Sequence, residues 1–206
     1  MTRPAFVYLA SQSPRRRQLL EQIGVAYKLL LPDPEEDTEA IEAVLPGEGP
    51  AHYVCRVTRL KLAAALVRLQ RRHLPAAPVL CSDTTVALGR RIYGKPVDAQ
   101  DATRMLGELA GATHRVLTAV VVGGAAGEGA RQHEALSISR VCFEAMTRPQ
   151  IDAYVATGEP MGKAGAYAIQ GRAAVHVRRI AGSYSGIMGL PMYETAQVLR
   201  ASGLLE

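Results

Sequence analysis

Apolar positions in this chain come in short blocks, and the blocks switch between strand and helix periodicity. Phe6 to Ala10 is a brief apolar run that reads as a strand. It leads into Ser13-Pro14, a good N-cap type followed by proline at the first helical position, where a missing N–H costs nothing. Gly24 closes that helix after about ten residues. Val25 to Leu31 predicts a second strand, ending in the acidic loop Asp33-Pro34-Glu35-Glu36-Asp37, whose prolines keep it out of a helix. From Pro50 to about His73 the pattern is helical. Val54, Val57 and Ala65 share one face, Lys61 lies between them, and Arg68 continues the stripe.

The second half alternates in the same way. Pro78 to Leu88 is a continuous β-type run, Gly89-Arg90-Arg91 a hairpin turn, and Ile92-Tyr93 a return strand leading to Gly94-Lys95-Pro96. Asp98 caps a helix through Leu109, with Gly111 at its close. His114 to Val122 is a strand, Gly123 to Gln132 a flexible turn, and Ala135 to Glu144 a strand of partial alternation. Thr147-Arg148-Pro149-Gln150 is a capping box opening a helix to about Gly158. Ala174 to Ile180 reads as a strand, Gly182 to Pro191 as a glycine-punctuated loop, and Met192 to Ser202 as a closing amphipathic helix. Strands and helices alternate without a repeat or a dividing linker, so the fold class is α/β and residues 1–206 form one expected domain.

Composition narrows the function classes. The longest apolar runs are strand-sized and no charged-then-apolar leader stands at the start, which predicts a cytoplasmic protein with no membrane span. Cys55, Cys81 and Cys142 are far apart and lie among apolar neighbours, the pattern of reduced core residues rather than a zinc site. A net charge of +5 is spread along the chain, and only 5% of residues are aromatic, too few to stack on bases. Stable nucleic-acid binding is disfavoured, whereas a small polyanionic substrate is not. Only Lys28, Lys61, Lys95 and Lys163 are lysines among the 24 basic residues.

The candidate chemistry is carried by a few positions. At the first helix start, backbone N–H groups, the Ser11 and Ser13 hydroxyls and the guanidinium groups of Arg15 to Arg17 converge. They form either an anion site or solvated surface charge. Asp83 is the one acidic residue inside a β-type run, where an ionised carboxylate is costly unless paired, so it is the leading catalytic candidate. The acidic loop either holds a divalent cation beside that site or is simply solvated. Lys61 either snorkels past its apolar stripe or points into a site. His114 reads as a hydrogen-bonded strand histidine rather than a substrate contact. In the small-residue segment Gly162 to Gly171, Gln170 offers an amide donor and acceptor suited to a base edge.

Five motifs in order then resemble the Maf family of nucleoside triphosphate pyrophosphatases: Ser11 to Arg16, Ser82 to Val86, Gly94 to Pro96, Gly111 to Thr118 and Gly182 to Pro191. Within that family, Lys163 to Gly171 is similar to the branch that hydrolyses dTTP and UTP rather than 7-methyl-GTP. The resemblance implies a twisted mixed sheet flanked by helices, with two lobes around a deep cleft (Maf/ITPase-like), and a homodimer. It implies Asp83 as proton acceptor and Arg15, Thr84 and Gln170 as setting substrate choice. Ser13, Arg16, Lys61 and Lys95 would contact substrate, and Glu36 with Asp83 would hold Mg²⁺ or Mn²⁺, Glu35 being the neighbouring alternative. Ser82 and Thr85 depart from the family's usual alanine and isoleucine or valine, and the loop between Glu36 and Lys61 is longer than its pattern. The implied reaction releases pyrophosphate from dTTP or UTP, canonical or base-modified. The competing reading is a non-catalytic nucleotide or nucleic-acid binder linked to control of cell division.

Overall fold

The structure is a computed structural model that describes residues 6–36, 38–124 and 132–205. A seven-stranded mixed sheet forms its centre. Strands β1 (Val7–Leu9), β2 (Tyr27–Leu29), β3 (Val79–Leu88), β5 (Thr113–Gly123), β6 (His133–Phe143) and β7 (Val177–Ala181) run in the order β2-β1-β3-β5-β6-β7, and β4 (Arg91–Tyr93) pairs with β3. β1 lies parallel to β2 and β3, and the remaining pairs are antiparallel. Around it pack α1 (Pro14–Gln22), α2 (Thr38–Ile41), α3 (Pro50–Arg71), α4 (Ala99–Leu109), α5 (Arg148–Val155), α6 (Tyr184–Met188) and α7 (Met192–Ala201). Among the described residues no helix is long and apolar enough to cross a membrane.

One register detail creates the cleft. β1 covers the edge of β3 only as far as Leu9↔Leu80, and β4 begins covering it at Val86↔Tyr93. Between those pairs no strand among the described residues lies against that edge of β3. The same five residues, 81–85, lie where the apolar core divides. Leu80 and Cys81 belong to two clusters at one end of the strand, Val86 and Ala87 to two others at the other end. Ser82, Asp83, Thr84 and Thr85 are thus a polar belt across an otherwise apolar strand, set between two lobes.

Strand alternation assigns the belt to two faces. Cys81, Asp83 and Ala87 point toward α3, whose Val54, Val57, Leu62 and Ala65 are fully buried against the sheet. The apolar stripe expected for this helix is therefore the packed one. Ser82 and Thr84 point toward α6: the Ser82 hydroxyl lies 3.0 Å from the Gly189 carbonyl, and Thr84 meets Thr118 at 2.9 Å.

Several local expectations shift. α1 begins at Pro14, but the Ser13 hydroxyl makes no cap bond; instead Ser11 Oγ accepts from the Ser13 N–H at 3.2 Å. Asp98 does cap α4, accepting from Asp101 N–H at 2.7 Å. The span expected to be a strand from Ala174 opens inside a 3-10 turn (Arg172–His176), and β7 begins at Val177. Gly182 to Pro191 contains α6, capped by Ser183 and closed by Gly189 at φ +116°. Of the turn expected over Gly123 to Gln132, residues 125–131 lie outside the described residues. The three cysteines are free; Cys81 is buried, whereas Cys55 and Cys142 are only half-buried.

His114 lies in the core, with Nε2 2.8 Å from the Tyr167 hydroxyl and its ring edge-on to Phe143 and Tyr167. Burial lowers its pKa to about 4. Because the unfolded imidazole takes up its proton near 6.5, stability should fall as pH drops from about 6.5 toward 4, by up to about 1.4 kcal/mol per unit. Thermal unfolding between pH 6.5 and 4.5 checks this against His114→Gln, which should flatten the slope; an unchanged slope would assign the loss elsewhere.

Candidate active site

The uncovered edge of β3 opens into a cleft of about 750 Å³ lined by both lobes, a volume suited to a nucleotide-sized ligand. Asp83 lies on its α3 side, only 8% exposed, with Oδ1 2.5 Å from Lys61 Nζ. The same ammonium donates to Glu42 Oε1 at 2.7 Å, and Lys95 Nζ donates to Glu42 Oε2 at 2.9 Å. A chain of alternating charge, Asp83–Lys61–Glu42–Lys95, thus runs from the buried belt to the exposed rim.

The charges hold one another. Burial favours the neutral form of Glu42, but Lys61 and Lys95 outweigh it and leave its pKa below the usual carboxylate value. Burial likewise works against the Lys61 ammonium, and Asp83 and Glu42 reverse the effect, so its pKa is raised. Both groups are therefore charged at neutral pH. Glu42 sits where it does because Ile41 packs into the apolar cluster of Tyr53, Val54 and Ala87, and the Tyr53 hydroxyl donates to the Glu42 carbonyl at 2.9 Å.

On the opposite wall, α1 presents two arginines. Arg15 Nε donates to the Met188 carbonyl at 3.3 Å and Arg16 Nε to the Gly189 carbonyl at 2.7 Å; Arg16 also reaches Ser11 Oγ at 3.2 Å. The end of α6 thereby anchors both side chains while leaving guanidinium donors for an anion. Glycine at 189 is required by backbone conformation rather than by space: its φ of +116° disfavours any side chain, whereas an added Cβ would make only ordinary contact with Arg16 Nε at 3.5 Å. Arg17 is not among the cleft-lining residues, whereas Ser13, Arg15 and Arg16 are.

Thr84 is also oriented. Thr118 Oγ1 donates to the Gly186 carbonyl at 2.7 Å, which uses its only hydrogen, so Thr84 must be the donor in the Thr84–Thr118 bond. The Thr84 hydroxyl then offers lone pairs alone to the cleft. Neighbouring Thr85 also lines the cleft, and its buried Oγ1 has no hydrogen-bond partner among the described residues.

A family model described as Maf-like protein matches residues 6–202. The chain belongs to the Maf family. Its similarity to individual Maf proteins is high over nearly full length. It is 67% identical over 199 residues to a protein of Polaromonas sp. named dTTP/UTP pyrophosphatase, with 97% of this chain and 96% of that protein covered. Proteins of the same name from Albidiferax ferrireducens and Cupriavidus metallidurans are 66% and 62% identical, each over at least 96% of both chains.

Measured against the motif expectations for a Maf protein, the cleft brings together Ser13, Arg15, Arg16, Lys61, Asp83, Thr84, Lys95 and Gln170. Glu36 requires a correction. It borders the cleft, but its carboxylate is taken up by the fork of Arg68, with Nε at 2.9 Å, and by Arg71 at 3.0 Å. These bonds hold its pKa down to about 2. Asp33 completes the arrangement through Arg71 and Arg72, so the acidic loop clasps the C-terminal turn of α3. Glu35 does not line the cleft. The carboxylate that shares Lys61 with Asp83 is Glu42, which the sequence reading did not select. Its signal was faint: an isolated Ile-Glu pair inside the unusually long loop before Pro50.

Among the described residues no three or more His, Cys, Asp or Glu side chains converge as metal ligands. Asp83 and Glu42 nonetheless flank one cation position, now held by the Lys61 ammonium. That donor set fits a hard divalent ion of the Mg²⁺ type, which commonly takes one or two carboxylates and completes its shell with water and phosphate oxygens.

Proposed function

We propose that this protein hydrolyses dTTP and UTP between the α and β phosphates, giving the nucleoside monophosphate and pyrophosphate. The observation that carries the reading is a nearly buried aspartate paired with a lysine in a cleft whose opposite wall presents two anchored arginines. The names of the relatives supply the substrate class. Asp83 is the general base, accepting a proton from the attacking water as the new P–O bond forms and the Pα–O bond to the β phosphate breaks. Lys61 holds the Asp83 carboxylate in place. Arg15 and Arg16 face the triphosphate and stabilise charge developing on the leaving pyrophosphate, and Lys95 adds a cation at the rim. Ser13 lies at the same helix start and contributes a hydroxyl contact.

Asp83 and Glu42 are the residues that would hold Mg²⁺ or Mn²⁺. Such an ion polarises phosphate oxygens and makes a bound water more acidic. Gln170, an exposed residue lining the cleft, reads the O4 and N3–H edge of uracil or thymine, while Thr84 accepts from a sugar or base donor. Homodimeric pairing and a cytoplasmic setting follow from the family resemblance and complete the reading.

The test is a substrate panel of UTP, dTTP, CTP and 7-methyl-GTP assayed for pyrophosphate with Mg²⁺ or Mn²⁺. The expected kcat/KM for UTP and dTTP exceeds that for the other two by roughly 10- to 100-fold, since a mismatched base leaves polar groups unpaired. Equal rates on all four, or no turnover, would reject the assignment.

A further inference from the structure

Reading a base with a glutamine demands a fixed backbone, because the backbone position sets the distance and direction from which the side-chain amide reaches the base edge. Gln170 lies in a segment with two anchors that bracket it. On its N-terminal side the Ala168 N–H donates to the Tyr154 hydroxyl at 3.3 Å, and that hydroxyl donates to Glu159 Oε1 at 2.8 Å. On its C-terminal side the Arg172 N–H donates to Glu159 Oε2 at 3.1 Å. The two oxygens of one carboxylate thus terminate both arms, with Gln170 midway between them.

The backbone at 171 presses directly on this carboxylate. A Cβ added to Gly171 would lie 2.2 Å from Glu159 Oε1, so a side chain there would displace the clamp. Glu159 is itself held. Its N–H donates to Thr157 Oγ1 at 3.1 Å, and Lys163 Nζ donates to its carbonyl, tying the start of the segment to the same residue. Burial works to raise the Glu159 pKa, but the Arg172 N–H and the Tyr154 hydroxyl outweigh it and keep the carboxylate ionised. Tyr154 is buried in the α4–α5 core, and neither it nor Glu159 lines the cleft.

We infer that Tyr154 and Glu159 are positioning residues for base choice: they fix the 168–172 backbone so that the Gln170 amide is held within reach of the pyrimidine edge. The inference rests on the reading of Gln170 as the base contact. It predicts a loss of discrimination rather than a uniform loss of rate, because the phosphate and base-catalysis machinery lies on other elements.

The experiment measures kcat and KM for UTP and CTP in wild type, Tyr154→Phe, Glu159→Gln, Gln170→Ala and the double variant Tyr154→Phe/Gln170→Ala. Removing one hydroxyl should lower the UTP:CTP ratio of kcat/KM by about 3- to 10-fold, chiefly through a higher KM for UTP. The double variant should be no less selective than Gln170→Ala alone, since Tyr154 acts through Gln170. A merely structural role would slow both substrates alike and leave the ratio unmoved, and that result overturns the inference. If Gln170→Ala lowers the ratio while Tyr154→Phe does not, the base contact stands and the clamp falls. If Gln170→Ala itself leaves the ratio unchanged, both fall together. Tyr154→Phe deletes a single oxygen and so decides the matter even where Glu159→Gln fails to fold.

Discussion

Asp83→Asn should lower kcat for UTP by about 10²- to 10⁴-fold, the range expected on losing a general base. The substitution is nearly isosteric, and the strand tolerates it because β3 keeps its long ladder with β5 on the other edge. Lys61 loses one charged partner but retains Glu42 at 2.7 Å, so the ammonium is not left buried and alone. The amide oxygen can still accept from Lys61, yet the group can no longer take a proton from water. KM is expected to stay level or fall, because removing a negative charge from the cleft reduces repulsion of the triphosphate. A drop in kcat smaller than about tenfold would mean that another group serves as base.

The second large effect separates two glutamates that lie only six positions apart in sequence. Glu42→Gln should lower kcat/KM by about 10- to 100-fold and raise the Mg²⁺ or Mn²⁺ concentration needed for half-maximal rate, since a neutral amide is a poor ligand for a hard cation. Glu36→Gln should change activity by less than about threefold while costing about 1–3 kcal/mol in stability. That cost arises because Arg68, only 4% exposed, loses the anion that neutralises it. Activity and urea unfolding measured on both variants distinguish the roles. If Glu36→Gln is the inactive one and Glu42→Gln is not, the charge chain through Lys61 does not carry the chemistry.

Much of this architecture is written in local pattern. The β-type run around Asp83 is legible because a carboxylate in a continuous apolar strand must be compensated, and Lys61 supplies that compensation from the stripe where its oddity was visible. Arg15 and Arg16 were marked by the helix start, although the partners that aim them, the Met188 and Gly189 carbonyls, lie 173 residues away. Five-residue α6 is too short for a periodic signal, so its span read as a loop.

Glu42 illustrates what a linear pattern omits. Its partners Lys61 and Lys95 are 19 and 53 residues distant, and only the docking of Ile41 beside Tyr53 delivers its carboxylate to the cleft. Glu36 drew attention through its acidic neighbours, yet those neighbours serve a clasp on the arginine-rich end of α3. Strand β7 began later than expected because a 3-10 turn occupies residues whose apolar character alone suggested extension. The Tyr154–Glu159 clamp is likewise a tertiary feature, made of backbone donors that no side-chain pattern displays.

Product identity tests the central claim most directly. Wild-type protein incubated with UTP and a divalent cation should yield one pyrophosphate per UMP with no orthophosphate, and Asp83→Asn should slow the release of both products by the same factor, about 10²- to 10⁴-fold. Orthophosphate with UDP, or pyrophosphate release undiminished in Asp83→Asn, would contradict hydrolysis at the α–β bond by this aspartate.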